Sequence, residues 1–240
     1  MKTIRNDKLI DRNAKIGQYT NIAGIVLLGL SMFLALRSLN PSNVPTLTET
    51  YLLFGTMLLA LILTQVSMFF GNRFGRRPRP DESLDMALKG IPGEYLLYHF
   101  VTPASHLLLG PAGLWILMPY HQKGKATYSK NRWKGSGGGF LQGYMRIFGQ
   151  ESLGRPDIES ASEVSGLEKY FKQNLPEGAT PPAINVVLVF LDPDIEVDAE
   201  ESPIPAMQAK KLKDFIRKVS KEQPMPQAEV ERIKAALEKE

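Results

Sequence analysis

The chain is expected to be an α/β protein: an N-terminal transmembrane helical hairpin followed by a three-layer α/β/α domain with a central mixed sheet. Three observations predict this. Two long apolar stretches, residues 19–36 and 51–70, carry no charged side chain. Four shorter, near-continuous apolar runs of strand length follow, at residues 95–101, 106–109, 114–118 and 184–190. Amphipathic helical spacing fills much of the remainder.

Each long stretch approaches the roughly 20 residues that an α-helix needs to cross about 30 Å of hydrocarbon. Hydrogen-bonding side chains within them are few and uncharged, Asn21, Ser31, Thr64 and Gln65 among them. A buried helix of a soluble protein normally shows a polar stripe over that length. A cleaved signal peptide is disfavoured for the first stretch, because no small-x-small site follows it and a second full span does. Gly24 and Gly29, with Gly55 and Ala60, are expected to let the two helices approach closely. No charge lies inside either stretch, so an ion path through the pair is not expected.

The net charge of +4 is modest, and its placement is the informative part. Lys2, Arg5, Lys8, Arg12 and Lys15 precede the first span, Arg73, Arg76, Arg77 and Arg79 follow the second, and loop 38–49 has no Lys or Arg. Basic residues near span ends stay inside, which predicts a two-span protein of the cell membrane, bacterial in style, with both termini cytoplasmic. The juxtamembrane arginines are attributed to topology rather than to lipid recognition. The expected organisation is a cytosolic segment 1–18, a hairpin 19–71 with spans at about 19–37 and 51–70, a basic linker 72–81, a domain 82–220 and a C-terminal helix 221–240. Cysteine is absent, which excludes disulfides, thiolate metal sites and cysteine nucleophiles.

In the domain, a short helix is expected from Asp81 or Ser83 to just before Gly90, with acids in its first turn and Lys89 and Gly90 at its end. The apolar runs are continuous rather than alternating, so both faces of their sheet should be covered. Residues 125–134 alternate and predict an exposed strand or hairpin, with a flexible turn at 135–139 (GSGGG). The helix at 157–173 should pack through Ile158, Ala161, Val164, Leu167 and Phe171. Leu212, Phe215, Ile216 and Val219 mark another helix, and Val230, Ile233 and Leu237 a last one. The acidic stretch 192–201 reads as an irregular exposed turn.

The order helix, strand, strand, Pro-x-Gly turn, strand resembles the nuclease-related domain family (NERD), relatives of the PD-(D/E)xK nucleases. The resemblance covers residues 83 to about 133, with weaker agreement at 184–190 and after. It is carried by His106-Leu-Leu-Leu-Gly-Pro-Ala-Gly-Leu-Trp-Ile-Leu, then Lys123-Gly124 and Trp133. It implies a nuclease-like fold whose carboxylates hold Mg²⁺ and whose lysine places the attacking water. The departures fall on those groups. The family's aspartate before the histidine is Ser105 here, and its Glu-x-Lys falls on Met118-Pro119-Tyr120. A hydroxyl, a thioether and a phenol do not supply the anionic oxygens that Mg²⁺ requires. No catalytic or metal site is therefore expected, and no cofactor.

Relocated carboxylates are the alternative: Glu159 and Glu163, four apart on one helix face, joined by Glu94. A solvated acidic face is preferred for them. His99, His106 and His121 lack paired ligand spacing, so packing in or beside strands is their expected role. Lys123, Lys125, Lys130, Arg132 and Lys134, interleaved with Tyr120, Tyr128 and Trp133, are candidates for holding single-stranded nucleic acid, against an ordinary solvated hairpin.

The expected protein is a membrane-anchored pseudoenzyme that binds or scaffolds at the cytoplasmic face. Its first partner is the lipid bilayer, with nucleic acid and other proteins as open partners and the oligomeric state open. The alternatives are an active tethered nuclease using Mg²⁺ and a plain membrane protein-interaction module.

Overall fold

The computed structural model describes residues 1–39, 45–136, 153–176 and 178–238. The chain divides into two units, one of Asp7–Arg79 and one that joins Met1–Asn6 to Pro80–Glu240. The helical pair is thus inserted into an α/β domain that begins before it.

In the inserted unit, α1 (Asp7–Ser38) and α2 (Leu47–Phe70) are long and apolar enough to cross a membrane, with mean hydropathy of 1.9 and 2.0 over their most apolar windows. Only 11% and 17% of those windows is buried, so neither behaves as a core helix. Side chains such as Phe33, Phe54 and Leu58 lie open. A capping box starts α2: Glu49 N–H donates to the Thr46 hydroxyl at 3.2 Å, and Thr46 N–H to the Glu49 carboxylate at 2.9 Å.

Small residues seven apart on α1 meet α2. Gly17 lies against Phe70 and Gly71, Gly24 against Ala60 and Thr64, and the Ser31 hydroxyl donates to Thr56 Oγ1 at 2.9 Å. Gly24 and Ala60 are where the sequence suggested, but Gly29 and Gly55 face open space. The seam follows the 17–24–31 heptad phase, and Gly29 is off it. Gly71–Gly75 forms a π-helical turn after α2.

The α/β domain is built on a six-stranded mixed sheet. Its strands are β1 (Lys2–Arg5), β2 (Leu96–His99), β3 (His106–Gly110), β4 (Gly113–Tyr120), β7 (Ile184–Phe190) and β9 (Ala206–Gln208), in that spatial order. β2, β3 and β4 form an antiparallel meander, whereas β1 is parallel to β2, β4 to β7 and β7 to β9. A second, three-stranded sheet holds β5 (Lys125–Ser129), β6 (Arg132–Ser136) and β8 (Glu196–Asp198). Lys130 and Asn131, both left-handed at φ of 52° and 55°, make the two-residue turn from β5 to β6.

Helices cover both faces of the large sheet. α3 (Pro80–Ala87) and α5 (Ala209–Glu222) bury Leu84, Leu212 and Ile216 against Leu97, Leu108, Trp115, Leu117 and Val187. On the opposite face, α4 (Pro156–Asn174) and α6 (Gln227–Leu237) bury Leu167, Phe171, Ile233 and Leu237 against Leu107, Leu109, Ile116 and Leu188. Alternation along each strand sorts the residues between the two clusters. β3 is buried along its whole length and β4 over its first six residues, as their unbroken apolarity predicts, whereas β7 is buried over its last four. α3 opens with Pro80 and two acids, favourable at a helix N-terminus, and the chain turns away by Gly90 at φ 81°.

Several expectations need correction. Residues 1–18 are not a separate segment: 2–5 form an edge strand, and α1 already starts at Asp7, twelve residues before its apolar part. Four residues with one apolar side chain, Ile4, are too short to read as a strand without their partner. The last helix is not detached, since α6 buries Val230, Ile233 and Leu237 in the same core as α4. The acidic stretch is not wholly irregular, because Glu196–Asp198 pairs with β5. Gly135 and Ser136 belong to β6, opposite Ala126 and Lys125, while 137–139 lie outside the described residues. Ile158 is 55% exposed and Ala161 is exposed. At about 100° per residue, Ile158 stands half a turn from Leu167, and the inward line runs instead through Pro156, Ser160 and Glu163.

Candidate functional site

Polar side chains gather at one end of the large sheet, where β2, β4 and β7 finish and β3 begins. Alternation at the start of β3 sends Ser105 toward α4 and His106 toward α3. Two polar clusters result, one on each face.

Beneath α3, Arg5 of β1 forms ion pairs with Asp81 at 3.1 Å and with Asp85. Thr3 donates its hydroxyl to Asp85 Oδ1 at 3.0 Å, and His99 Nε2 lies 3.4 Å from the same oxygen. His99 Nδ1 and His106 Nδ1 are 2.8 Å apart and share one hydrogen bond. Both rings are buried, as is Asp81. One nitrogen of that contact must donate and the other accept, so both rings cannot carry a proton there at once. Whichever ring donates across that contact, His99 Nε2 can carry a proton toward Asp85. Phe100, which packs on His106 at 4.8 Å between ring centroids, takes a left-handed φ of 58°. Such a conformation is costly for an aromatic residue and persists only where its surroundings enforce it.

Burial pushes the Asp85 carboxyl upward. The hydrogen bond and charge of His99, with Thr3 and Arg5, outweigh this and hold it below its usual value. A carboxylate with a folded-state value below its unfolded value contributes stability above about pH 4, lost as pH falls through the folded value. The denaturation midpoint of the full chain should therefore drop on acidification below about pH 4. Asp85→Asn should start from a lower midpoint at pH 7 and decline less, as measured by urea titration at several pH values.

On the α4 face, the Ser105 hydroxyl donates to Glu163 Oε1 at 2.9 Å, and the Tyr120 hydroxyl donates to Glu159 Oε2 at 2.8 Å. Burial, then the neighbouring Glu159 carboxylate, drives the Tyr120 phenol upward, so it remains a donor. Arg155 N–H also reaches Glu159, at 3.4 Å. Met118 stays inside the apolar core.

The structure thus brings Ser105 and Tyr120 onto Glu163 and Glu159. Glu163 is half-buried on the inward line of α4 and so departs from the solvated face the sequence suggested, whereas Glu159 lies at the surface and meets only the Tyr120 hydroxyl and the Arg155 N–H. Glu94 does not join them. It is exposed ahead of β2, five residues and about 16 Å of strand from the end that carries His99. Among the described residues, no group of three or more His, Cys, Asp or Glu side chains is arranged to hold a metal ion.

The basic hairpin is divided by its own pleat. Trp133 pairs with Tyr128 and packs toward the core beside Phe190, 6.3 Å between ring centroids. Arg132 and Lys134 alternate to the other side, opposite Ser129 and Thr127. Lys125 is held by Glu196 at 2.8 Å and Asp198 at 3.2 Å. Lys123 precedes the hairpin and Lys130 sits in its turn, both exposed. Cations and rings therefore do not form one mixed surface.

Sequence reasoning missed the histidine pair. With strands ending at 99 and restarting at 106, a hairpin places these two residues directly opposite, so the symmetric spacing was the available signal. His121 is half-buried just beyond β4. No family model, no curated protein and no solved structure shows significant similarity to this chain.

Proposed function

We propose that this protein is a membrane-anchored, nuclease-related α/β/α domain that no longer hydrolyses nucleic acid and serves in binding or scaffolding at the cytoplasmic face of the cell membrane. One observation carries the non-hydrolytic reading. Where the resemblance calls for an aspartate and a Glu-x-Lys, Ser105 and Tyr120 donate their hydroxyls to Glu163 and Glu159. Each carboxylate thereby meets a neutral donor, Glu163 in a half-buried position and Glu159 at the surface. The helix–strand–strand–turn–strand order of α3, β2, β3 and β4, followed by α4 and the parallel β7, supports the family resemblance.

The pairing of β1 with β2 supports a common side for both ends of the helical pair, because residues before α1 and after α2 share one sheet. The basic residues flanking the two apolar helices support the cytoplasmic side. The full chain in lipid nanodiscs, supplied with Mg²⁺ or Mn²⁺, should leave plasmid and single-stranded DNA intact on gels. Cutting that disappears in Glu159→Gln or Glu163→Gln would establish the active, relocated nuclease instead.

A further inference from the structure

Between α1 and the turn after α2 lies an open groove of about 510 Å³. One wall carries Asp11, Lys15, Gln18 and Asn21, whose spacing puts them along one side of α1. The other wall is Ser67, Gly71 and Gly75, four apart and nearly without side chains. A Cβ added at Gly71 or Gly75 would meet nothing within 4 Å. The floor is set by Gly17, where a Cβ would come 3.1 Å from the Gly71 nitrogen, and by the Ser67 hydroxyl bonded to the Gly17 carbonyl at 3.0 Å.

Two further features single this groove out. Asp11 and Lys15 are exposed and belong to no ion pair among the described residues, although their spacing would permit one. They offer opposite charges to whatever enters. The second feature is the π-helical turn Gly71–Gly75, a rare geometry that recurs at functional positions. The groove also sits at a defined level. The long apolar stretch of α1 begins at Tyr19, and that of α2 ends at Phe70. In a spanning pair, this is the headgroup layer of the bilayer.

We propose that the groove seats the headgroup of a phospholipid bearing a primary ammonium, with its phosphate on Lys15 and its ammonium on Asp11. Gln18 and Asn21 stand one and two turns further along, toward the glycerol esters. A net-anionic headgroup would meet Asp11 without compensation, and a trimethylammonium has no N–H to donate to it. This assignment rests on the membrane-spanning reading given above.

The test is native mass spectrometry of the full chain released from nanodiscs with equal phosphatidylethanolamine, phosphatidylcholine and phosphatidylglycerol of identical acyl chains. The ethanolamine lipid should be retained roughly fivefold over the other two, the scale of one charge-assisted hydrogen bond. Asp11→Ala should abolish discrimination against the choline lipid, and Lys15→Gln should lower retention of both. Equal retention by the unaltered chain, or a preference that survives Asp11→Ala, overturns the site. Glycerophosphoethanolamine added to the delipidated chain should bind far more weakly than the lipid. Binding of equal strength would make the ligand a soluble one and overturn the lipid assignment. Alkaline carbonate separates the two levels: a chain released from membranes removes the spanning reading, whereas an embedded chain without the preference removes the headgroup site alone.

Discussion

Replacing Arg5 by Met is expected to destabilise the α/β domain by roughly 3 kcal/mol, the lower end for breaking a buried ion pair from one side. The Arg5 side chain joins Asp81, which is fully buried, to Asp85, which holds His99. Its loss leaves carboxylates inside the fold with less compensation, and a typical domain has only about 5–15 kcal/mol in total. Lys2→Gln removes the same charge from an exposed position of the same strand and should stay within about 0.5 kcal/mol of the parent. Urea titration of the full chain, followed by tryptophan fluorescence, reads both changes because Trp115 is buried in the cluster beneath α3 and α5. Equal stability of the two variants would mean that β1 is not docked in solution. A chain starting at Pro80 should behave worse than Arg5→Met, since it also lacks the backbone pairing of β1 and leaves β2 as an open edge.

Phe171→Ala is expected to cost roughly 3–5 kcal/mol, as is usual for emptying a fully buried aromatic site. Phe171 is completely enclosed on the inner line of α4, in the cluster that also holds Leu167, Ile233 and Leu237. Ile158→Ser, in the same helix, should change stability by no more than about 0.5 kcal/mol, because that side chain faces solvent. The pair of measurements tests the helix phase directly. It bears on function too, since the same phase carries Glu159 and Glu163 to Tyr120 and Ser105. A large loss at Ile158 with a small one at Phe171 would rotate α4 and remove both hydrogen bonds.

The helix at 157–173 shows where a linear pattern loses its hold. Its apolar residues are too few to define one stripe, and Ile158 and Ala161 fit a plausible stripe that the sheet does not use. The inward positions 160 and 163 are polar, so hydropathy counts them as outside. Glu163 is met by the Ser105 hydroxyl, from a part of the chain reached long before α4, and Ser160 bonds back to the Asp157 carbonyl. By contrast, the strands at 106–109, 114–118 and 184–190 were legible to within two residues at their ends, because unbroken apolarity needs no partner to be recognised.

Taken by itself, the amino-acid order determined two helices long and apolar enough for a bilayer, the strand-forming runs, and the absence of carboxylates at Ser105, Met118 and Tyr120. These are local properties, readable from composition and period over some ten to twenty residues. Only the tertiary structure decided that residues 2–5 complete a sheet across 90 residues of intervening chain, and that His99 bonds His106. It alone decided that two glutamates of α4 receive the hydroxyls at the resemblance's vacant positions. Strand pairing and helix phase join residues far apart in sequence, and the side chain that makes such a contact carries no mark of its partner.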